Sequence, residues 1–374
     1  MKKFFAALCL IILAASASFA ADTIKIGVVA TVTGQNAFGG QLELEGMQLA
    51  NSLYPEALGK KIELIVVDNK SDKVESATAA TRLIENDKVN ALIGPYGSGP
   101  TMAAGEVAEV AEVVLMGTAC TNPLVTEGKK FIYRACFIDP FQGEAAANYS
   151  YNKLGYKKAA VLTDVASDYA VGLASFFKSN FTKLGGEIVS DLKYQSGDTD
   201  FTAQLTEIIE RAPDVIFIPA YFAEGAIIMK QGYEMGNKAR FMGGDAMDNP
   251  EVVTLGGSAV EGFMHTTFAY DPSMPEMNTE AKAFTEAWIK KYADKAPNAN
   301  AAMGYDAYVL IYQAILRANS ADPKAIRDEL EKTTNVATVT GMTSFTTESH
   351  DPVKDAGVVE IKGGKKLYVD TIKP

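Results

Sequence analysis

Histidine is nearly absent from this chain of 374 residues, which has only His265 and His350, and tryptophan occurs once. A Ser–His pair or a histidine-based metal site therefore has few parts to draw on, and both histidines read as surface or packed side chains. Cysteine is scarce too: Cys9, Cys120 and Cys136 are the three. Positive charge is outnumbered, with 35 Lys and Arg against 46 Asp and Glu and a formal net charge of −11. No basic stripe offsets that balance, which excludes nucleic acid as a partner. The acidity itself selects no ligand. Beyond the N-terminal leader no stretch reaches the roughly 18 unbroken apolar residues of a membrane span, and no low-complexity linker divides the chain.

The leader reads MKKFFAALCLIILAASASFAAD. Lys2 and Lys3 precede an apolar core from Phe4 to Ala15, and Ser18-Phe19-Ala20 is a small-x-small cleavage site, so residues 1–20 read as a secretory signal cut after Ala20. Cys9 lies inside the apolar core and not at the cleavage point, so the sequence describes a free exported protein of the periplasm and not a lipoprotein. Two cysteines then remain. An oxidising compartment permits a disulfide between Cys120 and Cys136, and two small buried thiols are the alternative; both readings stay open.

What the chain does have is alternation. IKIGVVA, KIELIVVD, ALIG, VVLMGTA, KAAVLTD, EIVSDLKY, DVIFIPA and RFMGGD are short apolar runs separated by helical patterns, as parallel strands covered on both faces require. The fold class is α/β. The halves also answer one another: ELIVVDNKSD pairs with IVSDLKYQSGDTD, ALIGPYGSG with VIFIPAYFAEG, and VVLMGTACTNP with RFMGGDAMDNP. Three such pairs in one order indicate a duplicated lobe, each lobe a mostly parallel sheet flanked by helices. After Pro272 come helices near Glu276–Ala293, Ala301–Asn319 and Pro323–Thr333, then two short strands joined by Lys362-Gly363-Gly364-Lys365. Three short crossovers, near Phe137–Pro140, Phe268–Pro272 and Thr343–Thr346, are expected to join a first lobe of residues 21–139 plus 270–343 to a second of 140–269 plus 344–374. Open parallel sheets bind ligands beyond the carboxyl ends of their strands, so facing lobes would place the turns on opposite walls of one cleft.

In VNALIGPYGSGPTMAAG, a turn holding Gly94, Pro95, Gly97, Gly99 and Pro100 hands a strand over to a helix. Backbone N–H groups there suit an anion, either a phosphate or a carboxylate. The turn lacks the Lys-Ser/Thr of a P-loop. Met102 stands where a dinucleotide fingerprint has its third glycine, and Tyr96 and Pro100 break the nucleophile-elbow pattern around Ser98. Asp68-Asn69-Lys70-Ser71-Asp72 and Asp198-Thr199-Asp200 lack EF-hand spacing and read as turn and cap residues. Catalysis finds no support, and neither does a cofactor.

The motifs IGPYGSGPT, GTACTNPLVT, RACFIDPFQG, GGDAMDNP, AMGYDAYVLIYQAI and GGKKLYV together resemble the branched-chain amino-acid binding proteins of ABC importers, across essentially all of the mature chain. The resemblance implies two Rossmann-like lobes of the type I periplasmic binding protein, hinged by three strands and closing over one free L-amino acid, with delivery to a membrane ABC permease and a monomeric state. It implies that Ser98 binds the α-carboxylate through its hydroxyl and N–H. The Ala119 carbonyl and Thr121 would bind the ammonium and complete the polar set, and Asp245 of the other lobe would pair with the ammonium where the best-known leucine binders carry Glu. Tyr169 and Tyr221 match aromatics that close over the ligand, and Phe38, with Tyr96 beside it, matches the wall of the side-chain pocket. The chemistry agrees: a carboxylate gains from a helix N-terminus, and a buried ammonium needs an anion. Alternatives are a sensor or transport binder of another small acid or amide on the same fold, and a secreted hydrolase using Ser98 or an acidic pair. Asp245 opposes a simple carboxylic acid, because its charge would then lack a partner.

Overall fold

The computed structural model describes residues 23–374; the leader, its cleavage after Ala20 and Cys9 lie outside the described residues. The apolar runs form strands and the segments between them form the covering helices. The first unit runs β1 (Ile24–Ala30), α1 (Ala37–Leu53), β2 (Glu56–Ala57), β3 (Lys60–Asp68), α2 (Lys73–Glu85), β4 (Ala91–Ile93), α3 (Ser98–Val110), β5 (Leu115–Gly117) and β6 (Ile132–Arg134). Its six strands lie in the order β2-β3-β1-β4-β5-β6, with β2 antiparallel and the rest parallel.

The chain then crosses to a second unit: α4 (Asp139–Asn148), β7 (Lys158–Asp164), α5 (Asp168–Lys183), β8 (Glu187–Tyr194), α6 (Thr202–Glu210), β9 (Val215–Ile218), α7 (Phe222–Glu234), β10 (Arg240–Gly243), the short α8 (Glu251–Gly256) and β11 (Met264–Phe268). It returns for α9 (Thr279–Lys291), α10 (Ala299–Ala318), α11 (Pro323–Glu331) and a hairpin of β12 (Val336–Thr338) and β13 (Gly341–Thr343). Phe284, Trp288, Ala301 and Tyr308 from these helices share one core with Ile24, Val28 and Leu92. The chain ends in β14 (Ala356–Lys362) and β15 (Lys365–Ile372), added antiparallel to the edge of the second sheet, whose order is β15-β14-β11-β10-β9-β7-β8. Gly363 and Gly364 both adopt positive φ in the connecting turn, as a two-residue hairpin loop with the strands' twist demands.

Strand order shows the duplication directly. In each sheet the unit's first parallel strand lies between its second and third, with the fourth and fifth beyond: β3-β1-β4-β5-β6 against β8-β7-β9-β10-β11. The three sequence echoes fall on equivalent strands. In both lobes the order reverses beside the first strand, so a ligand crevice is expected at that end of each sheet.

Two features brace the first lobe. Helices α1 and α10 cross backbone to backbone: a Cβ on Gly46 would fall 1.9 Å from the Ala301 carbonyl oxygen, and one on Gly304 2.0 Å from that of Glu43. The segment after β13 stays against the first lobe. His350 stacks on Tyr133 at 3.9 Å, Asp351 pairs with Arg134 at 2.6 Å, and the buried Lys354 ammonium donates to Thr338 and Thr340. The acidic turns serve their own backbone: Asp72 caps α2 by accepting the Glu75 N–H at 2.9 Å, and Asp200 accepts that of Thr202 at 3.0 Å. Among the described residues no helix is long and apolar enough to cross a membrane.

Candidate ligand site

The glycine- and proline-rich turn ends at Gly97, whose φ of 91° suits a residue without a Cβ. Ser98 is the first residue of α3, and the opening N–H groups of a helix have no partner within it. The Ser98 side chain is fully buried, and its Oγ accepts the Asn122 N–H at 3.1 Å. The Gly97 N–H donates to the Ala119 carbonyl at 3.0 Å. The turns after β4 and β5 are thus tied together, with Ser98 and Ala119 on the tie. Thr121, also buried, has a hydroxyl with no hydrogen bond.

Arg134 sets the shape of the second turn from below. Its buried guanidinium donates to the Cys120 and Asn122 carbonyls at 2.5 and 2.9 Å and to the Thr126 hydroxyl at 2.7 Å, while Nε faces Asp351. Cys120 and Cys136 lie next to each other as free, buried thiols, the Cys120 N–H pointing at Cys136 Sγ at 3.5 Å. The structure therefore takes the unbridged reading. Both histidines are packed: His350 Nδ1 meets the Ile132 carbonyl at 2.8 Å, and His265 stacks on Phe263.

The opposite wall comes from the second lobe. Asp245 follows β10, is buried, and accepts from Gln142 Nε2 at 2.8 Å through Oδ1. Burial lifts its pKa to about 6, against the pull of the Gln142 and Tyr169 hydrogen bonds. Asp139, at the start of α4, is wholly buried, and neither carboxylate oxygen accepts a hydrogen bond. Burial, and then the neighbouring Asp245, hold its pKa well above the usual carboxylate range. Among the described residues neither acid has an ion-pair partner; Asp248, by contrast, pairs with Lys366 at 2.8 Å. Gln142 Oε1 is buried and unpartnered as well. Two buried carboxylates without an ion pair, a bare amide oxygen and the Thr121 hydroxyl beside Asp139 form a set of acceptors suited to a cation that donates several hydrogen bonds.

Aromatic rings bridge the walls. The Tyr221 hydroxyl lies against Gly97, 2.6 Å from where a Cβ would stand; its ring packs on Tyr96 with centroids 5.8 Å apart and on Tyr169 at 5.6 Å. The Tyr169 hydroxyl accepts the Ala246 N–H at 3.4 Å, next to Asp245. Phe38 meets Phe222 edge to face at 6.4 Å. At the rim Lys73 pairs with Asp168, and Asn122 Nδ2 donates to the Asp168 carbonyl at 2.8 Å. The lobes are closed on one another. Toward the hinge an apolar cavity of about 290 Å³ lies between them, lined in part by Leu42, Met247, Val253, Pro297 and Ile361.

Ser98, Ala119 and Thr121 therefore gather on the first lobe's wall. Asp245, Tyr169 and Tyr221 gather on the second, and Phe38 and Tyr96 are among the aromatics that touch across. Sequence reasoning missed Asp139, Gln142, Arg134 and Glu43. The first three stand within RACFIDPFQG, which had been read for its resemblance and as a crossover. Glu43 had its own signal, an acid on the apolar face of α1 between Leu42 and Met47.

Comparison with known proteins places this geometry. A family model described as periplasmic binding protein matches residues 23–366. A leucine-, isoleucine-, valine-, threonine- and alanine-binding protein of Pseudomonas aeruginosa is 28% identical over 335 residues, covering 88% of each chain. A leucine-binding protein structure from Thermotoga maritima superposes with a TM-score of 0.91 at 41% identity, covering 94% of this chain and 99% of that one. A branched-chain amino-acid transporter substrate-binding protein from Streptococcus pneumoniae, solved with isoleucine, superposes with a TM-score of 0.88 at 35% identity, covering 94% and 100%. The two-lobed α/β architecture, the paired cleft walls and a match that spans nearly all the described residues make this chain a member of the periplasmic binding protein family.

Proposed function

We propose that the protein captures one free L-amino acid, branched-chain or otherwise aliphatic, between its lobes in the periplasm and presents the closed form to an ABC permease as a monomer. The observation that carries this reading is the polarity of the cleft. One wall offers a helix N-terminus with Ser98, and the other offers Asp139 and Asp245 with no cation of their own. An α-amino acid supplies the complement of both in one molecule. Its carboxylate sits on the N-terminus of α3; its ammonium bridges the Ala119 carbonyl, Thr121 and the two acids. The bare α-carboxylate of a simple acid would satisfy only the first wall, which is why a binder of small acids is the weaker reading. For a hydrolase, Ser98 lacks a base: its Oγ accepts the Asn122 N–H, and among the described residues no side chain accepts its proton.

Closure follows from the same contacts, because ligand, Tyr221 and the rim pair all draw the walls together around a hinge. A thermal-shift screen of common L-amino acids on ligand-free protein tests the proposal. Aliphatic amino acids at about 100 times their Kd should add about 2.7 kcal/mol of stability. No shift with any amino acid would remove the ligand class.

A further inference from the structure

Three buried polar side chains border the hinge cavity with hydrogen-bonding atoms to spare. His265, on β11, is 1% exposed, and among the described residues neither ring nitrogen makes a hydrogen bond. Its Nε2 stands 3.8 Å from Asp248 Oδ1, beyond hydrogen-bonding range. Asn249 and Asn298 are 4% and 5% exposed, and the Nδ2 of each has no acceptor among the described residues. Neither amide can flip to hide that donor. Asn249 Oδ1 is held by the Glu251 N–H and Asn298 Oδ1 by the Ala301 N–H, each at 2.9 Å, at the starts of α8 and α10. Buried donors beside apolar walls are costly until something accepts from them.

The cavity is distinct from the amino-acid cleft. Ser98, Ala119, Thr121, Asp139 and Asp245 do not line it. Neighbouring residues of α1 divide between the two places: Leu42 lines the cavity, while Glu43 Oε1 accepts the Ala119 N–H at 3.1 Å on the cleft wall. Both lobes contribute, Leu42 and Pro297 from the first, Val253 and Ile361 from the second, and the exposed Pro272 and Ser273 mark a mouth.

We propose that the hinge cavity is a second binding site, for a compact neutral molecule with an alkyl body and a carbonyl oxygen, and that its occupant favours the closed lobes. The donors set the head group. Two amide NH2 groups suit a carbonyl oxygen with its two lone pairs, and a neutral imidazole offers one donor and one acceptor. Charge sets neutrality. Lys366 pairs with both Asp248 and Asp271, at 2.8 and 2.9 Å, so one ammonium already answers two carboxylates and an anion would meet net negative charge. Volume sets size: about 290 Å³ is just under the roughly 300 Å³ at which small-molecule pockets begin.

Isobutyramide is the probe, and isobutyrate, its isosteric anion, is the control. Saturation-transfer NMR titrations on the mature protein, with and without saturating L-leucine, read their affinities. The amide should saturate at about millimolar concentration and bind at least about tenfold tighter than isobutyrate to the leucine-loaded protein, whose cleft is already filled. Amide and leucine should each bind severalfold tighter in the presence of the other, by one common factor. Val253→Phe, which fills the cavity, should abolish amide binding and leave leucine bound. Asn298→Asp, which keeps the cap on Ala301 but turns the donor into an acceptor, should weaken the amide about tenfold. The inference is overturned by an amide that does not saturate wild type, that isobutyrate matches, or whose affinity leucine leaves unchanged or lowers; none of these results needs a variant to fold. Amide binding that survives Val253→Phe or is unmoved by Asn298→Asp overturns it too. A protein that takes the amide but not leucine counts against the amino-acid reading alone, because the amide's preference over isobutyrate and its loss in Val253→Phe still decide the cavity.

Discussion

On the proposed function, a proton and the ligand's ammonium would compete for the Asp245 carboxylate. Its pKa in the closed, ligand-free cleft is raised from 3.8 to about 6. A carboxyl whose folded pKa lies above its unfolded value costs stability from the unfolded pKa upward, so ligand-free stability should fall as pH rises from about 4 to about 6, with Asp139 and Glu43 steepening the fall from about pH 4 and Glu43 extending it to about 8. Ligand affinity should do the opposite and drop about tenfold per unit as pH falls below about 6, one proton displacing one ammonium. Calorimetry across pH checks both the sign and the slope. Asp245→Asn should flatten that slope and cost about 3–5 kcal/mol of binding. Ser98→Ala should cost roughly 1.5–3 kcal/mol at every pH, and a deaminated analogue should be far less sensitive to Asp245→Asn than the amino acid is. Thiol titration adds a separate check: no reactive thiol in the native mature protein and two in denaturant, as the buried, unbridged Cys120 and Cys136 require. Ser98, Thr121 and Asp245 were legible because each follows a strand in a recognisable turn. Asp139 and Glu43 were not, because a carboxylate becomes informative only when its lack of partners can be seen.

Among the elements, α1 and α10 carry the closest approach, and it decides where Phe38 and the rest of α1 stand. Gly46→Ala should force the helices apart and cost about 1–3 kcal/mol in urea unfolding. Because Phe38 rides on α1 against Phe222 of the other lobe, amino-acid affinity should fall with it, which a surface glycine substitution such as Gly155→Ala would not reproduce. In the sequence the apolar period of α1 becomes visible only at Leu42, while the helix starts at Ala37. The missing turn holds Gly39 and Gly40, which carry no hydrophobic signal and are needed as glycines because Tyr96 and the Thr31 carbonyl sit where their Cβ atoms would be. The first four parallel strands of each lobe were legible as apolar runs, β1, β4, β7 and β9 being almost wholly buried; β2, β6, β11 and the β12–β13 hairpin were not. The segment after Thr343 hid its packing for the opposite reason: Phe345, His350 and Lys354 find their partners on residues far away in sequence.

At the scale of the whole molecule, closure rests on contacts of unequal strength. The Lys73–Asp168 pair at the rim is about half exposed on both sides, so Lys73→Ala should weaken binding by no more than about 1 kcal/mol, and the effect should vanish in high salt. Asp245, shielded from water, and the half-buried Tyr221 should set whether small-angle scattering sees a compact or a spread particle on adding ligand. The order of the chain carries another consequence. The first sheet is complete in sequence by Arg134, yet the helix that seals α1 begins at Ala299 and the residues that brace Arg134 come later still. A polypeptide made and exported from its N-terminus thus cannot finish its earliest lobe until five strands of the second sheet have passed. Until residues 279–354 have emerged, that lobe's apolar face has nothing to rest on, and a chain ending before Ala299 should lose the beginning of the protein more than its middle, whereas one lacking only β14 and β15 should lose the edge of the second sheet.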